Sequence, residues 1–409
     1  MGYIGTAFPM PSPLIGPSLI IAPLGDMMEE QPADQDSYVF VNNKKMRRGH
    51  TTGTCAAAAS KAAAEALLTG KPVEKVRIHT PKGITLDLPV EDLTVSGTSA
   101  KCAVRKDGGD DIDATHGTLI YSEVSLADQG ISIDGGQGVG RVTRKGLDQP
   151  VGNAAINRVP RSMIAEALTD VASATGYGGG FSVLVTIPAG EELAKKTFNP
   201  RLGIIGGISV LGTSGIVEPM SETALVNTIK AEMNMRAAEG HRLLLVVPGN
   251  YGKDFSDNMP GLDADSAVKC SNFVGEMLDY ACELKVDILL ISNLGKIVKV
   301  AGGIMNTHSR NADSRMEIIA ANAAMVGADI CAVQRIMDCI STDDALDVLN
   351  EFDLIEPTCA RLAERIEFYM NHRTGGAIRT AAVVFSSVYG LLSKTSLADQ
   401  MIKELEEGA

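Results

Sequence analysis

The densest group of titratable side chains in this sequence is KDGGDDIDATHG, residues 106–117, which holds Asp110, Asp111, Asp113 and His116. Three chemistries suit such a cluster: a metal site, a base that takes a proton, or a set of turn-forming caps. The spacing is not that of a calcium-binding helix–loop–helix, which needs glycine at its sixth position and a late glutamate. Crowded carboxylates raise one another's pKa, which favours proton abstraction, whereas aspartate among glycines also builds turns.

Four other stretches carry chemistry-bearing residues. RGHTTGTCAAAA begins at Arg48 and places His50, Thr51, Thr52 and Thr54 ahead of an alanine run. A hydroxyl-rich turn at a helix start offers N–H groups to a phosphate or carboxylate. Cys55 is either a thiol activated by the helix dipole or a small core residue. The glycine-rich segment 133–164 carries Arg141, Arg144, Lys145, Arg158 and Arg161, an uncommon density in a chain of net charge −13, and reads either as a site for a multiply anionic ligand or as a solvated loop. GGISVLGTSGIVEPMSE holds Gly212, Thr213, Ser214, Gly215 and Glu218; VVPGN holds Gly249 and Asn250. Both have the strand-then-glycine form of a cofactor loop without being the dinucleotide fingerprint, and Glu218 suits ribose hydroxyls or a helix cap. GGIMNTHSRNADSRMEII gathers His308, Ser309, Arg310, Asp313 and Arg315. Adjacent His308 and Ser309 do not make a triad, and no GxSxG elbow exists, so anion binding or proton transfer by His308 is favoured over hydrolysis.

These residues need elements to hold them. The 409 residues exceed what one core usually serves, and 45% hydrophobic with 21% charged residues is ordinary for a globular protein. Tryptophan is absent and aromatics are 4%, which argues against stacking platforms for nucleic acid. Seven unpatterned cysteines suggest reduced thiols in a cytoplasm rather than a disulfide framework or zinc site. Residues 1–45 read as a disordered or over-extended leader, with Met46 an alternative start, and their apolar runs are too short to span a membrane. Residues 46–195 read as an α+β domain: a hairpin in VRIHTPKGITLDLPV, strands in AKCAVRK, TLIYSEVSL and FSVLVTI, and helices in the alanine run and PRSMIAEALTDVASATG. Residues 196–409 alternate apolar runs (GIIGGISVLG, RLLLVVPGN, VDILLIS, AAVVFSS) with helices over 221–240, 265–284, 314–327 and 357–370, with Ser221 and Asp265 as N-caps. That rhythm predicts a three-layer α/β domain with a mainly parallel, Rossmann-like sheet.

Taken together, RxGHTTGTCAAAA, DGGDDIDATHG, GGxGVGxVTxxGLxxPVGxxAIN, GGISVLGTSGIVEPMSE and THSRxADSRMEIIA resemble, in order, the motifs of the cobalt-precorrin-5B C1-methyltransferase family. The resemblance runs from about Arg47 to Leu391. It implies methyl transfer from S-adenosylmethionine to C1 of a cobalt-containing corrinoid precursor, giving cobalt-precorrin-6A. With it, Asp111, His116 and His308 become candidates for handling a proton. Gly212–Gly215, Glu218, Gly249 and Asn250 become candidate donor contacts. His50, Thr51, Thr52, Thr54, Arg141, Arg144, Arg158, Arg161 and Arg310 become candidates for the substrate's carboxylates. The expected partners are this small molecule and, in a homo-oligomer, a second copy of the chain, with no resident metal, nucleic acid or membrane. Ile112 and Arg158 stand where the family often has proline. Rival readings are a corrinoid-binding protein without catalysis, a nicotinamide reductase, which lacks its fingerprint here, and a cysteine-dependent acyl transferase using Cys55.

Overall fold

The computed structural model describes residues 37–41, 43–249, 262 and 266–407. Two five-stranded sheets organise it. The first has the order β6 (Glu91–Ser96), β7 (Ser99–Arg105), β8 (Leu119–Ala127), β12 (Gly180–Thr186), β9 (Ile131–Gly135), and is antiparallel except where β12 meets β9. Helices α1 (Thr52–Thr69) and α2 (Arg158–Thr175) pack on one another, with α1 laid along β7 and β8. Beside them stand the expected hairpin, β4 (Lys75–His79) with β5 (Thr85–Pro89), and, after β12, the short α3 (Gly190–Ala194).

Helix α1 is buried almost all round: Cys55, Ala56–Ala59, Ala62–Ala64 and Ala66 are fully covered. Small side chains permit this. A Cβ on Gly53 would sit 2.6 Å from Pro160 Cγ on α2, so the two helices approach more closely than larger residues allow. The buried Ser60 hydroxyl is satisfied by Ala56 O at 2.7 Å and Ser122 Oγ at 2.8 Å. Both helices stop at left-handed glycines, Gly70 and Gly176, as helix C-termini commonly do.

The second sheet has the order β17 (Val268–Lys269), β16 (Leu243–Val247), β18 (Asp287–Asn293), β19 (Thr380–Ser386), β20 (Gly390–Lys394). It is parallel except for the edge pair β19–β20. Its central strands are continuous apolar runs because both faces are covered. One face meets α4 (Glu222–Ala238), α5 (Val274–Leu284), α6 (Leu294–Ala301), α7 (Arg315–Met325) and the long α10 (Ile355–Thr374); the other meets α11 (Ala398–Glu407). Two further helices, α8 (Ile330–Met337) and α9 (Thr342–Glu351), lie between α7 and α10 in sequence. No helix of the described residues is long and apolar enough to cross a membrane.

Several expectations shift. GIIGGISVLG does not supply a strand of the second sheet. Its glycines break it into β13 (Ile204–Ile205) and β14 (Gly207–Ile208), which pair with β11 (Arg141–Val142) and β10 (Gly138–Val139). β15 (Ile216–Val217) likewise pairs with β3 (Gly49–His50). Residues 204–217 thus join the first half of the chain. Residues 38–47, mostly assigned to the leader, form a hairpin of β1 (Tyr38–Val41) and β2 (Lys44–Arg47), while residues 1–36 lie outside the described residues. The helix expected over 265–284 starts only at Val274, after the edge strand β17. ISNLGKIVKVAGG is not strand then loop: α6 follows β18 directly, capped by Asn293 Oδ1 on Gly295 N at 2.8 Å. Ser221 caps α4 as expected, and Asp265 lies outside the described residues.

Because α1 has no free face, enlarging it is costly. Ala59→Leu is expected to lower unfolding free energy by about 1–3 kcal/mol through overpacking, read from urea denaturation.

Candidate functional site

The start of α1 is closed by backbone from the 211–215 loop. Thr51 is the N-cap, its Oγ1 accepting Thr54 N–H at 3.2 Å, and its own N–H donates to Gly215 O at 3.1 Å. Gly53 N–H donates to Leu211 O at 3.1 Å, and Thr52 Oγ1 both accepts from Leu211 N at 3.0 Å and donates to Leu211 O at 3.2 Å. Thr54 Oγ1 donates to Gly215 O at 2.7 Å. His50, Thr51, Thr52 and Thr54 are all buried. The first-turn donors that suit an anion are therefore largely used inside the protein, and these threonines hold the loop. Only glycine fits opposite them: Gly212 has φ +137°, and a Cβ there would lie 2.2 Å from Thr51 Oγ1.

A second backbone contact brings the aspartate loop to the same place. A Cβ on Gly49 would stand 2.3 Å from Asp107 O, and one on Gly109 2.3 Å from Arg47 O. Arg47 forms a two-pronged pair with Asp107, and Asp110 accepts Arg47 N–H at 2.6 Å. The Arg47 guanidinium holds the Asp107 carboxyl down at about 2. Burial pushes Asp113 up, but the nearly buried Lys106 ammonium and Thr115 outweigh it, so Asp113 titrates below its ordinary range. Burial also lowers the pKa of His50, whose Nε2 lies 3.1 Å from Arg105 O. His116 is half exposed, and its Nδ1 accepts Gly108 N–H at 3.0 Å. Among the described residues, no group of three or more His, Cys, Asp or Glu is placed to hold a metal.

Asp111 ties the aspartate loop to the segment that leads into α4. Its Oδ1 accepts Met220 N–H at 3.0 Å, one residue before the Ser221 cap of α4. Glu218, two residues earlier, pairs with Lys82 and lies 3.3 Å from Arg48 NH2; these cations hold its carboxyl below the ordinary value. Only residues 239–242 separate α4 from β16. The helix therefore runs antiparallel to the strand, and its first turn stands at the carboxyl end of the parallel sheet, where open α/β sheets bind ligands. At that edge Lys296 Nζ donates to Pro248 O at 3.0 Å, tying the ends of β16 and β18 together beside Gly249. Asn250 lies outside the described residues.

The arginines separate. Arg141 makes a two-pronged pair with Asp134 at 2.7 and 3.0 Å. Arg161 donates to Ile156 O and Ile133 O, and Arg158 is largely exposed and pairs with Asp148. Arg144 reaches toward Met235 on α4 and Glu239, which caps its C-terminus. The first three serve their own loop; Arg144 joins that loop to the second sheet's helices. Thr213 is exposed at the loop tip, and Ser214 Oγ donates to Ile216 O.

The 302–314 loop is tied just beyond β17. Thr307 N–H donates to Asn272 O at 2.9 Å, and Gly275 N–H donates to Met305 O at 3.1 Å. Lys299, almost wholly buried and with its pKa lowered by that burial, donates to Thr307 O at 3.2 Å and Ala312 O at 2.9 Å. His308 Nδ1 accepts Arg310 N–H at 3.1 Å, and Arg310 is exposed.

Sequence reasoning passed over Asp107, Lys82, Lys106 and Lys299. Lys299 interrupts the apolar face of IVKVA, which was a usable signal; Lys82 sits in a Pro-Lys-Gly turn that looks purely structural. A surface cavity of about 410 Å³ lined by Ile131, Tyr177 and Phe181 among others contains none of these residues.

A sequence profile described as CbiD matches residues 39–219, and one described as CbiD, C-terminal domain, matches residues 306–396. A cobalt-precorrin-5B C(1)-methyltransferase of Ruminiclostridium cellulolyticum is 48% identical over 376 residues, covering 90% of this chain and 98% of that one. Its namesake from Listeria monocytogenes is 41% identical over 374 residues, covering 90% and 99%. The crystal structure of a cobalamin biosynthesis protein (cbiD) from Archaeoglobus fulgidus aligns at 27% identity and TM-score 0.39, over 71% of this chain and 92% of that chain.

Two outcomes follow from the geometry. Burial pushes the Cys55 thiol up to about 12, while Cys331 is exposed. Iodoacetamide at pH 8 should therefore label Cys331 and spare Cys55 in peptide mass maps, and Cys55→Ser should leave activity intact. The depressed Asp107 stabilises the fold above its ordinary value of 3.8, and that contribution is lost as pH falls toward 2. Arg47→Met raises the Asp107 pKa, so acid unfolding should begin at higher pH, measured by circular dichroism.

Proposed function

The chain belongs to the CbiD family, and from that premise we propose that it transfers a methyl group from S-adenosylmethionine to C1 of cobalt-precorrin-5B, giving cobalt-precorrin-6A in cobalamin biosynthesis. The observation that carries this reading is 48% identity across 90% of the chain to a relative named for that methyl transfer. Attack by a ring carbon on a sulfonium methyl needs alignment and removal of a proton, not a covalent nucleophile. The buried Cys55 suits that requirement and speaks against the acyl-transferase alternative.

In this reading the first unit extends through β15 and the second, Rossmann-like unit begins with α4. The macrocycle lies between them, over the Asp111 loop and the Glu218–Met220 junction. The donor, which supplies an electrophilic methyl when bound, lies at the carboxyl edge of the parallel sheet. Lys296 fits its amino-acid carboxylate: a half-buried ammonium whose hydrogen-bond partner among the described residues is the carbonyl of Pro248. Exposed Thr213 and half-buried Gly249 border the same crevice. Loop 212–215 acts mainly as a wall held by Thr51, Thr52 and Thr54.

Asp111 is the group assigned to take the proton. Oδ1 is committed to Met220 N–H, and among the described residues the other oxygen is left to accept. His116 flanks it on the same loop, and His308 and Arg310 face the substrate from the second unit.

Mass spectrometry of cobalt-precorrin-5B incubated with the protein and S-adenosylmethionine should find one added methyl; its absence overturns the reading. Asp111→Asn keeps an oxygen for Met220 N–H but cannot take a proton. Turnover should fall about 100-fold or more with the thermal melt unchanged, and full activity would remove Asp111 from the chemistry.

A further inference from the structure

The two candidate histidines share an arrangement that bears on their roles. A neutral imidazole has one nitrogen that donates and one that accepts, and the bond made by one assigns the other. His308 Nδ1 accepts Arg310 N–H at 3.1 Å, while His308 N–H donates to Asn306 Oδ1 at 3.2 Å. The ring is thus closed onto its own loop through Nδ1, and its proton resides on Nε2. The loop is held in turn by Lys299 on two carbonyls and by Asn272 on Thr307.

A base in this position needs an outward lone pair. Here the nitrogen not bonded to the loop, Nε2, carries the hydrogen, and protonating Nδ1 would set two N–H groups against each other and forfeit the Arg310 bond. The surrounding charge favours an anion. Lys299 and Arg315 share Asp313, at 3.8 and 2.5 Å, and Arg310 adds a third, exposed cation.

We propose that His308 contacts the substrate as a hydrogen-bond donor through Nε2–H, directed at a carboxylate on the corrinoid rim, and that it is not the proton acceptor. This rests on the methyltransferase reading and deepens it. It divides the work between units, with the second gripping the rim and the first taking the proton. His116, whose Nδ1 accepts Gly108 N–H, is wired in the same sense.

The test has two arms. Long-range proton–nitrogen correlation spectra of the ligand-free chain, labelled on histidine and assigned with His308→Asn, read the tautomer whether or not the protein turns over. Nε2–H in the neutral ring is expected, and Nδ1–H overturns the proposal. In the second arm, His308→Asn retains an acceptor for Arg310 N–H but has no donor at the Nε2 position. KM for the corrinoid should rise about tenfold or more, with kcat within about twofold and the melt unchanged. His308→Gln, whose amide N–H reaches the Nε2 position, should recover most of that loss. Wild-type KM in His308→Asn would reduce His308 to a loop brace, and a collapse of kcat alone would restore the base role; either result overturns the donor assignment. Absence of methyl transfer by the wild type overturns the functional reading itself and leaves the tautomer result separately legible.

Discussion

The rest of the structure depends on one contact: the carbonyls of Leu211 and Gly215 receiving the first hydrogen bonds of α1. A helix start leaves N–H groups that must be satisfied. Here a loop more than 150 residues away in sequence does it, with Thr51, Thr52 and Thr54 adding hydroxyl bonds to the same two carbonyls and to one another. The loop lies close enough only because Gly212 and Gly215 have no side chain where Thr51, Thr54 and Thr80 stand. Through β15 the loop continues into the Glu218–Met220 junction, and from there into α4 and the parallel sheet. The aspartate loop is fixed by the same logic, glycine against backbone at Gly49 and Gly109.

This arrangement commits many of the polar side chains to building the protein itself. The threonines, Arg141 and Arg161 have the chemistry of ligand-binding groups and spend it on carbonyls and carboxylates of the protein. Among the described residues, groups with capacity to spare are Asp111, with one oxygen on Met220 N–H, Lys296 on the Pro248 carbonyl, and exposed Arg310. All three belong to segments at or near the carboxyl edge of the second sheet.

Much of this was legible in the sequence, for physical reasons. Periodicity revealed the hairpin at 75–89, the buried runs of β16, β18 and β19, and the alanine helix, because each is patterned by its own burial. The motif segments were found because they crowd glycine with polar residues. Partnership was what remained hidden. GIIGGISVLG reads as a sheet strand by composition, yet its glycines restrict it to two-residue ladders with strands of the other half. Arg141 reads as a carboxylate binder, and is one, but for Asp134. Asp107, the most strongly held carboxyl of its loop, gave no signal beyond a neighbouring glycine pair, because its importance comes from Arg47, sixty residues away.

Helix α1 has a further consequence for how this chain can change. Nearly every inward position already carries the smallest side chain that still favours a helix. Mutation there has almost no sideways moves: glycine loosens the helix, serine must find a buried partner as Ser60 does, and anything else is larger than its space. The segment is therefore closed to gradual drift. Variation in this half of the molecule has to accumulate on the exposed strand faces and turns, leaving the wall beneath the threonine turn fixed while its surroundings diverge.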